Sequence, residues 1–253
     1  MSGAPGPKVG LIYPTANSGE DDFLELAAAL RPALNVEVVY LPWPDDVGDL
    51  AKLDDAEVLD ALRRLGSAPH LQRTLPDVLR GHHLDAVAFA VTSASFLDGP
   101  DGVADQLRVL HPLADCPVTS TTWAYQQAIR HLELSTVSLA SVYHERLSGH
   151  FVARVREAGA EVVHRIDAAA RSDREMAAWS PEQITELVRR SAHPRAQAVL
   201  LPETALHTSP LTADLERASG GVPVLTATQV TLWSLARLVD LSPVAIDAGP
   251  LFA

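Results

Sequence analysis

Short apolar runs rich in Val, Leu, Ile and Ala fall at residues 8–13, 36–41, 85–91, 136–142, 161–165 and 197–202. These β-type runs predict strands. Longer stretches with apolar positions three and four apart predict helices over Glu20–Leu30, Ala56–Leu65, Leu71–Arg80, Thr121–Leu132, Glu145–Ala158, Pro181–Ser191 and Thr228–Val239. Gly66, Gly81 and Gly159 stand where three of these should stop. Strands that alternate with helices predict an α/β fold with parallel sheets. The Pro-rich stretch Leu41–Asp45 and the stretch Asp98–Gly102 predict loops, the second positioned to lie over a cleft.

Two of the runs end alike. Asp85-Ala-Val-Ala-Phe-Ala-Val-Thr-Ser-Ala-Ser-Phe96 and Gln197-Ala-Val-Leu-Leu-Pro-Glu-Thr-Ala-Leu-His-Thr208 both stop abruptly at small hydroxylated residues. Ligands of open α/β sheets bind beyond the carboxyl ends of such strands, so these endings nominate two walls of one site. A weak internal repeat supports this: Val9-Gly-Leu-Ile-Tyr-Pro14 parallels Val137-Ser-Leu-Ala-Ser-Val-Tyr143. Each half then supplies one strand-to-loop start and one later strand ending, which implies two pseudo-equivalent lobes.

Several residues at these ends can carry chemistry. Thr92 and Ser93 follow a buried strand directly, where hydroxyls and backbone N–H groups can stabilise an oxyanion; alternatively, with Ser95, they cap a helix. Tyr143 ends the fourth run, as a binding hydroxyl or a rim aromatic. Asn17 in Pro14-Thr-Ala-Asn17 is either a ligand contact or a turn residue beside Ser18-Gly19. Glu203 is pivotal. Burial at a strand end raises a carboxyl's pKa, so the group can protonate a carbanion, serve as a base when ionised, or only bind a ligand. His207 and His144 can set its charge or hold a distal carboxylate, although a lone histidine is more often structural.

Composition narrows the field. The chain has 253 residues, 47% hydrophobic, enough for one large core or two smaller ones. With a net charge of −12 and its twenty basic residues scattered, it offers nucleic acid and anionic membranes no footprint. No run reaches membrane-spanning length, and Met1–Lys8 lacks the apolar core of a secretory signal. The one cysteine, Cys116, cannot form an internal disulfide, so a cytoplasmic protein is expected and the thiol reads as packing before Pro117. The ten histidines show no metal spacing, and Gly19, Gly99 and Gly102 form no nucleotide fingerprint; no metal and no cofactor are expected. Glu20-Asp21-Asp22, Asp45-Asp46 and Asp54-Asp55 read as solvated helix starts and loops.

The order Val9-Gly-Leu-Ile-Tyr-Pro-Thr-Ala-Asn17, Ala90-Val-Thr-Ser-Ala-Ser-Phe96, Cys116-Pro-Val-Thr-Ser-Thr-Thr122, Val142-Tyr143, Leu201-Pro-Glu-Thr204 and Pro223-Val-Leu-Thr226 resembles the aspartate/glutamate racemase superfamily, in its arylmalonate decarboxylase and maleate isomerase branch. The resemblance implies two α/β lobes facing across a cleft, here 1–118 plus 226–253 and 119–225. It implies that Thr92, Ser93 and Tyr143 hold the carboxylate that becomes an enediolate, that Asn17 binds a second carboxylate, and that Pro14, Val91, Thr204 and His207 line the substrate site. That superfamily typically places a reactive cysteine at one or both of the positions matching Val91 and Glu203, the decarboxylases having a small residue at the first and cysteine only at the second, and neither is cysteine here. Two-base racemisation and thiolate-initiated cis-trans isomerisation both lose a required group. What remains is one-sided chemistry: a cofactor-independent lyase or isomerase acting on a small carboxylic acid, with arylmalonate-type decarboxylation as its pattern, apolar Val91 on one wall beside Phe96 and Trp123, and Glu203 managing one proton. A non-catalytic carboxylate-binding protein, and a hydratase or one-base enolising isomerase, are the alternatives. A homo-oligomer is neither required nor excluded.

Overall fold

The structure is a computed structural model that describes residues 6–97 and 102–253. Its strands are β1 (Lys8–Tyr13), β2 (Asn35–Tyr40), β3 (Ala86–Phe89), β4 (Val118–Ser120), β5 (Thr136–Ser141), β6 (Glu161–Asp167), β7 (Ala198–Leu201) and β8 (Val224–Thr226). They form two four-stranded sheets, β2-β1-β3-β4 and β6-β5-β7-β8, parallel throughout. The two strand orders are equivalent, so the internal repeat corresponds to two copies of one topology. β1, β3, β5 and β7 are buried almost entirely, as continuous apolar runs require. All six expected strands are present. β4 and β8, three residues each and ending in hydroxylated residues, are too short to announce themselves by an apolar run.

The helices are α1 (Glu20–Ala29), α2 (Asp55–Leu65), α3 (Ala68–Val78), α4 (Thr92–Phe96), α5 (Gly102–Ala114), α6 (Thr121–His131), α7 (Glu145–Glu157), α8 (Asp173–Ala177), α9 (Pro181–Ser191), α10 (Thr212–Ala218) and α11 (Ala227–Leu238). The loop expected over the cleft at 98–102 lies outside the described residues except for Gly102, which opens α5. Gly159 follows α7 with φ 99°, the left-handed stop expected of glycine. Gly66 ends α2 for another reason: its φ is −83°, and a Cβ there would stand 2.6 Å from the Ala94 carbonyl oxygen. It is needed where α2 meets α4, not for its backbone freedom.

Two helices exchange sides. α6 follows β4 of the first sheet but lays Tyr125 across the second, its hydroxyl 2.7 Å from the Leu201 carbonyl and 3.1 Å from that of Leu225. α11 follows β8 of the second sheet yet packs on α1, β3 and β4. Where they meet, small hydroxyls replace aliphatic groups: Thr121 pairs with Thr231 at 3.0 Å, and Ser95 of α4 with Thr122 at 2.5 Å. These bonds satisfy polar groups that the crossing buries. Ser95 therefore joins α4 to α6 and does not cap α4, whose N-cap residue is Val91.

The acidic cluster that opens α1 is not simply solvated. Asp21 is exposed, but Asp22 is fully buried and Glu20 nearly so. Asp22 Oδ1 accepts from the backbone N–H groups of Thr208 (2.9 Å) and Ser209 (2.7 Å), and Oδ2 from the hydroxyls of Thr208 (3.0 Å) and Thr228 (2.6 Å). One carboxylate thus ties α1 to the segment after β7 and to the first turn of α11. Asp22→Ala leaves these donors buried without their partner and is expected to cost at least about 3 kcal/mol, read as a lowered midpoint in urea unfolding. Asp21→Ala, at the exposed neighbour, should change the midpoint little.

Candidate functional site

A cavity of about 870 Å³ opens at the carboxyl ends of the central strands of both sheets. One wall holds Tyr13 and Pro14, at the end of β1, with Val91 after β3 and Thr92 and Ser93 at the start of α4. The facing wall holds Tyr143 and His144 after β5, and Glu203, Thr204 and Ala205 after β7. Segment 50–56 with Trp43, and segment 169–173 with Met176, form the remaining sides. The two strand endings do wall one cavity.

The walls are fastened to each other. The Thr92 hydroxyl donates to that of Thr204 at 3.5 Å, and the Tyr13 hydroxyl lies 2.8 Å from the Ser18 carbonyl and 2.9 Å from the Thr204 carbonyl. Gly19, with φ 101°, lets α1 approach so closely that a Cβ would stand 2.6 Å from the Ala205 backbone. Val91 sits at the N-cap of α4 without offering a capping side chain, so the first-turn amides of α4 have no intrahelical acceptor.

Glu203 is 5% exposed, and its Oε1 accepts from Ala205 N at 2.7 Å. Burial pushes its pKa up to about 7. The Asp173 charge adds to the rise, while hydrogen bonds from the Tyr143 hydroxyl and the Ala205 and Thr204 amides oppose it. Tyr143 is buried beside it, with its hydroxyl 3.0 Å from the Pro202 carbonyl and interacting with both Glu203 and Ser93. Its single hydroxyl hydrogen can serve Pro202 or Glu203, one at a time. Burial, then the Glu203 charge, raises the Tyr143 pKa well above the usual value, so near neutrality Tyr143 is a neutral donor. Phe96 is fully buried and packs edge-to-face on the Tyr143 ring at 5.6 Å, fixing its orientation from behind.

Three expected positions fall elsewhere. Asn17 is exposed in a turn with φ 58°, its N–H donating to Glu20 Oε1 at 2.6 Å, and does not line the cavity. The turn reading holds because Glu20 organises that loop. His207 also lies off the cavity, its Nδ1 3.5 Å from Asp21 Oδ2 on the outer face. The four-residue spacing from Glu203 spans a turn that carries His207 away. Trp123 sits on α6 outside the cavity; the aromatic wall comes from Trp43, whose Nε1 donates to Thr15 Oγ1 at 3.2 Å. Cys116 enters β4 at the end of the sheet remote from the cavity, and burial, with Asp115 and Asp85 nearby, raises its pKa. Tyr13, which the repeat aligns with Ser141 at the end of β5, was not singled out by the sequence, and Trp43, Asp173 and Met176 carry no local signal.

Glu203 holds its proton more tightly folded than unfolded, so between pH 4.5 and about 7 the folded protein carries more protons. Stability should therefore fall as pH rises through that window, by roughly 3 kcal/mol in all. Glu203→Gln should flatten this part of the profile and leave the variant more stable than its parent above pH 7, measured by urea unfolding at a series of pH values. Cys116→Ser should leave ligand binding at the cavity unchanged by calorimetry.

The fold is shared with enzymes of known structure. Over 97% of this chain and 98% of theirs, it is similar to the maleate isomerase Iso from Pseudomonas putida S16 (17% identity, TM-score 0.82) and to a mutant Nocardia farcinica maleate cis-trans isomerase with a covalently bound succinylcysteine intermediate (20%, 0.77). A crystal structure of arylmalonate decarboxylase superimposes with TM-score 0.71 at 21% identity, covering 97% of this chain and 99% of that one. No protein of curated function matches by sequence. The sequence model described as arylmalonate decarboxylase matches residues 71–252, a span that includes Thr92, Ser93, Tyr143 and Glu203, and by that match the chain belongs to the arylmalonate decarboxylase family.

Proposed function

We propose that the protein is a cofactor-independent lyase that decarboxylates a small malonate-type acid through an enediolate, with Glu203 as the proton donor. The observation that carries the reading is a buried carboxyl with a pKa of about 7 in the same cavity as Tyr143, Thr92 and Ser93. Hydroxyls of Thr92, Ser93 and Tyr143, with first-turn amides of α4, bind the retained carboxylate and stabilise the enediolate charge. The departing carboxylate lies toward Val91, where an apolar wall offers it no counter-charge. The C–C bond breaks, carbon dioxide leaves, and the electron pair passes into the retained carboxylate. Protonated Glu203 then delivers its proton to the carbanionic carbon, and the resulting glutamate is reprotonated from water.

The covalent route of the Nocardia isomerase, which its succinylcysteine intermediate represents, needs a thiol at the substrate. The chain's one cysteine is Cys116, away from the cavity. That favours lyase chemistry over thiolate-initiated isomerisation. Pro14 and Thr204 complete the substrate walls, with Thr204 holding Thr92 in place.

Phenylmalonate is the first substrate to test, by release of carbon dioxide. Glu203→Gln should keep binding and lower turnover at least about 100-fold. Parent activity should decline as pH rises through about 7, because the protonated form is the reactive one. Ser93→Ala should cost about 2 to 4 kcal/mol in kcat/KM. Undiminished turnover in Glu203→Gln would shift the proton to Tyr143, and binding without turnover by the parent would make the protein a carboxylate-binding protein.

A further inference from the structure

Two cavity residues that the proposed reaction does not use each bury a polar atom with no partner. His144 caps α7 through Nδ1, which accepts from Leu147 N at 3.4 Å, while its Nε2 is buried and unpaired. Asp173 opens α8 with Oδ1 accepting from Arg174 N at 2.8 Å, while its Oδ2 is buried and unpaired. Both residues line the cavity. Their segments are laced together: Ala170 N donates to the Val142 carbonyl at 2.8 Å and Ala169 N to the Tyr143 carbonyl at 3.3 Å, so the chain before Asp173 runs beside the chain before His144.

The chemistry of the pair is complementary. Because Nδ1 presents its lone pair to the Leu147 N–H, the proton of a neutral His144 sits on Nε2, making that atom a donor. Asp55 Oδ2 lies 3.9 Å from Nδ1, beyond hydrogen-bond distance, and does not change that arrangement. Asp173 Oδ2, as a carboxylate oxygen, is an acceptor. A buried donor and a buried acceptor left unpaired are rare in folded proteins and need partners when the site is filled. The cavity lining combines apolar side chains, Leu53, Val58, Leu62, Leu147 and Met176, with the charged Asp55, Arg146 and Arg171.

We propose that His144 and Asp173 form a second subsite, which takes a hydroxyl group carried on the apolar body of the substrate. A hydroxyl meets both needs at once: its oxygen accepts from His144 Nε2–H, and its hydrogen goes to Asp173 Oδ2. A phenol fits the combination of flat apolar body and single polar tip. This subsite names the substrate class of the site described above and rests on that reading for the placement of the acid end, at Thr92, Ser93 and Tyr143.

The test uses the full chain and two ligand pairs. Titration calorimetry compares 4-hydroxyphenylmalonate with phenylmalonate, and NMR titration compares phenol with toluene, which need no carboxylate site. The expected result is that 4-hydroxyphenylmalonate binds at least about tenfold tighter than phenylmalonate, that phenol binds tighter than toluene and moves the His144 ring resonances, and that both preferences fall to near one in Asp173→Ala and in His144→Phe. Equal affinities within each pair for the parent protein overturn the subsite, as does a preference retained by both variants. If phenylmalonate fails to bind while phenol is still preferred through Asp173, the subsite stands and the carboxylate-site reading falls. Because the parent protein answers through the ligand pairs alone, a variant that fails to fold does not blunt the test.

Discussion

The architecture hangs on one buried carboxylate. Asp22 gathers two backbone amides and two hydroxyls from segments nearly the whole length of the chain apart, and in doing so it joins the first helix of one half to the segment that carries Glu203 and to the last long helix. The close approach of Gly19 to Ala205 depends on that anchorage. So does the position of Thr204, which holds Tyr13 from one side and Thr92 from another. An aliphatic side chain at Asp22 could fill the space but could not specify which donors meet there. Directional bonds at such a junction select one arrangement among several compact ones, in keeping with the best-attested role of buried polar groups.

The cavity, by contrast, holds a group that lowers stability once it ionises. Glu203 is kept in an environment that opposes its charge, and the fold tolerates this because the surrounding strands are buried and well paired. Burial of three tyrosines nearby has the same origin and the opposite use. Tyr13, Tyr125 and Tyr143 are all pushed well above the usual phenol range, so near neutrality they stay hydrogen-bond donors whatever Glu203 does. Glu203 thus titrates beside three hydroxyls that keep their protons.

Six strands and seven helices were legible because their apolar positions repeat at lengths long enough to read; β4 and β8 were not, because three residues carry no period, and α4, α5, α8 and α10 were not among the expected helices. The two walls were legible because two apolar runs stop in the same way at small hydroxylated residues, and Val91, Thr92, Ser93, Tyr143 and Glu203 line one cavity. Asn17 and His207 stand off the cavity for a common reason. Each lies a few residues past a strand end, where a turn decides direction and sequence spacing does not. Asp22 looked like an ordinary acidic helix start, and only the tertiary fold sets it apart from Asp21. Trp43, Asp173 and Met176 come from segments that reach the cavity by way of loops, whose paths no local pattern encodes.

The exchange of α6 and α11 has a mechanical consequence. In many two-lobed proteins the lobes rock about a hinge to admit a ligand. Here each sheet's last strand delivers its helix to the other side, and the two helices meet through paired hydroxyls such as Thr121 and Thr231. Tyr125 adds a second tie, gripping the ends of β7 and β8 from a helix that begins at the first sheet. Opening the lobes like a jaw would have to shear both crossings at once. Segments 50–56 and 169–173, which line the remaining sides of the cavity, take part in neither crossing, so the ties between the two sheets and the cover of the cavity are built from separate stretches of the chain.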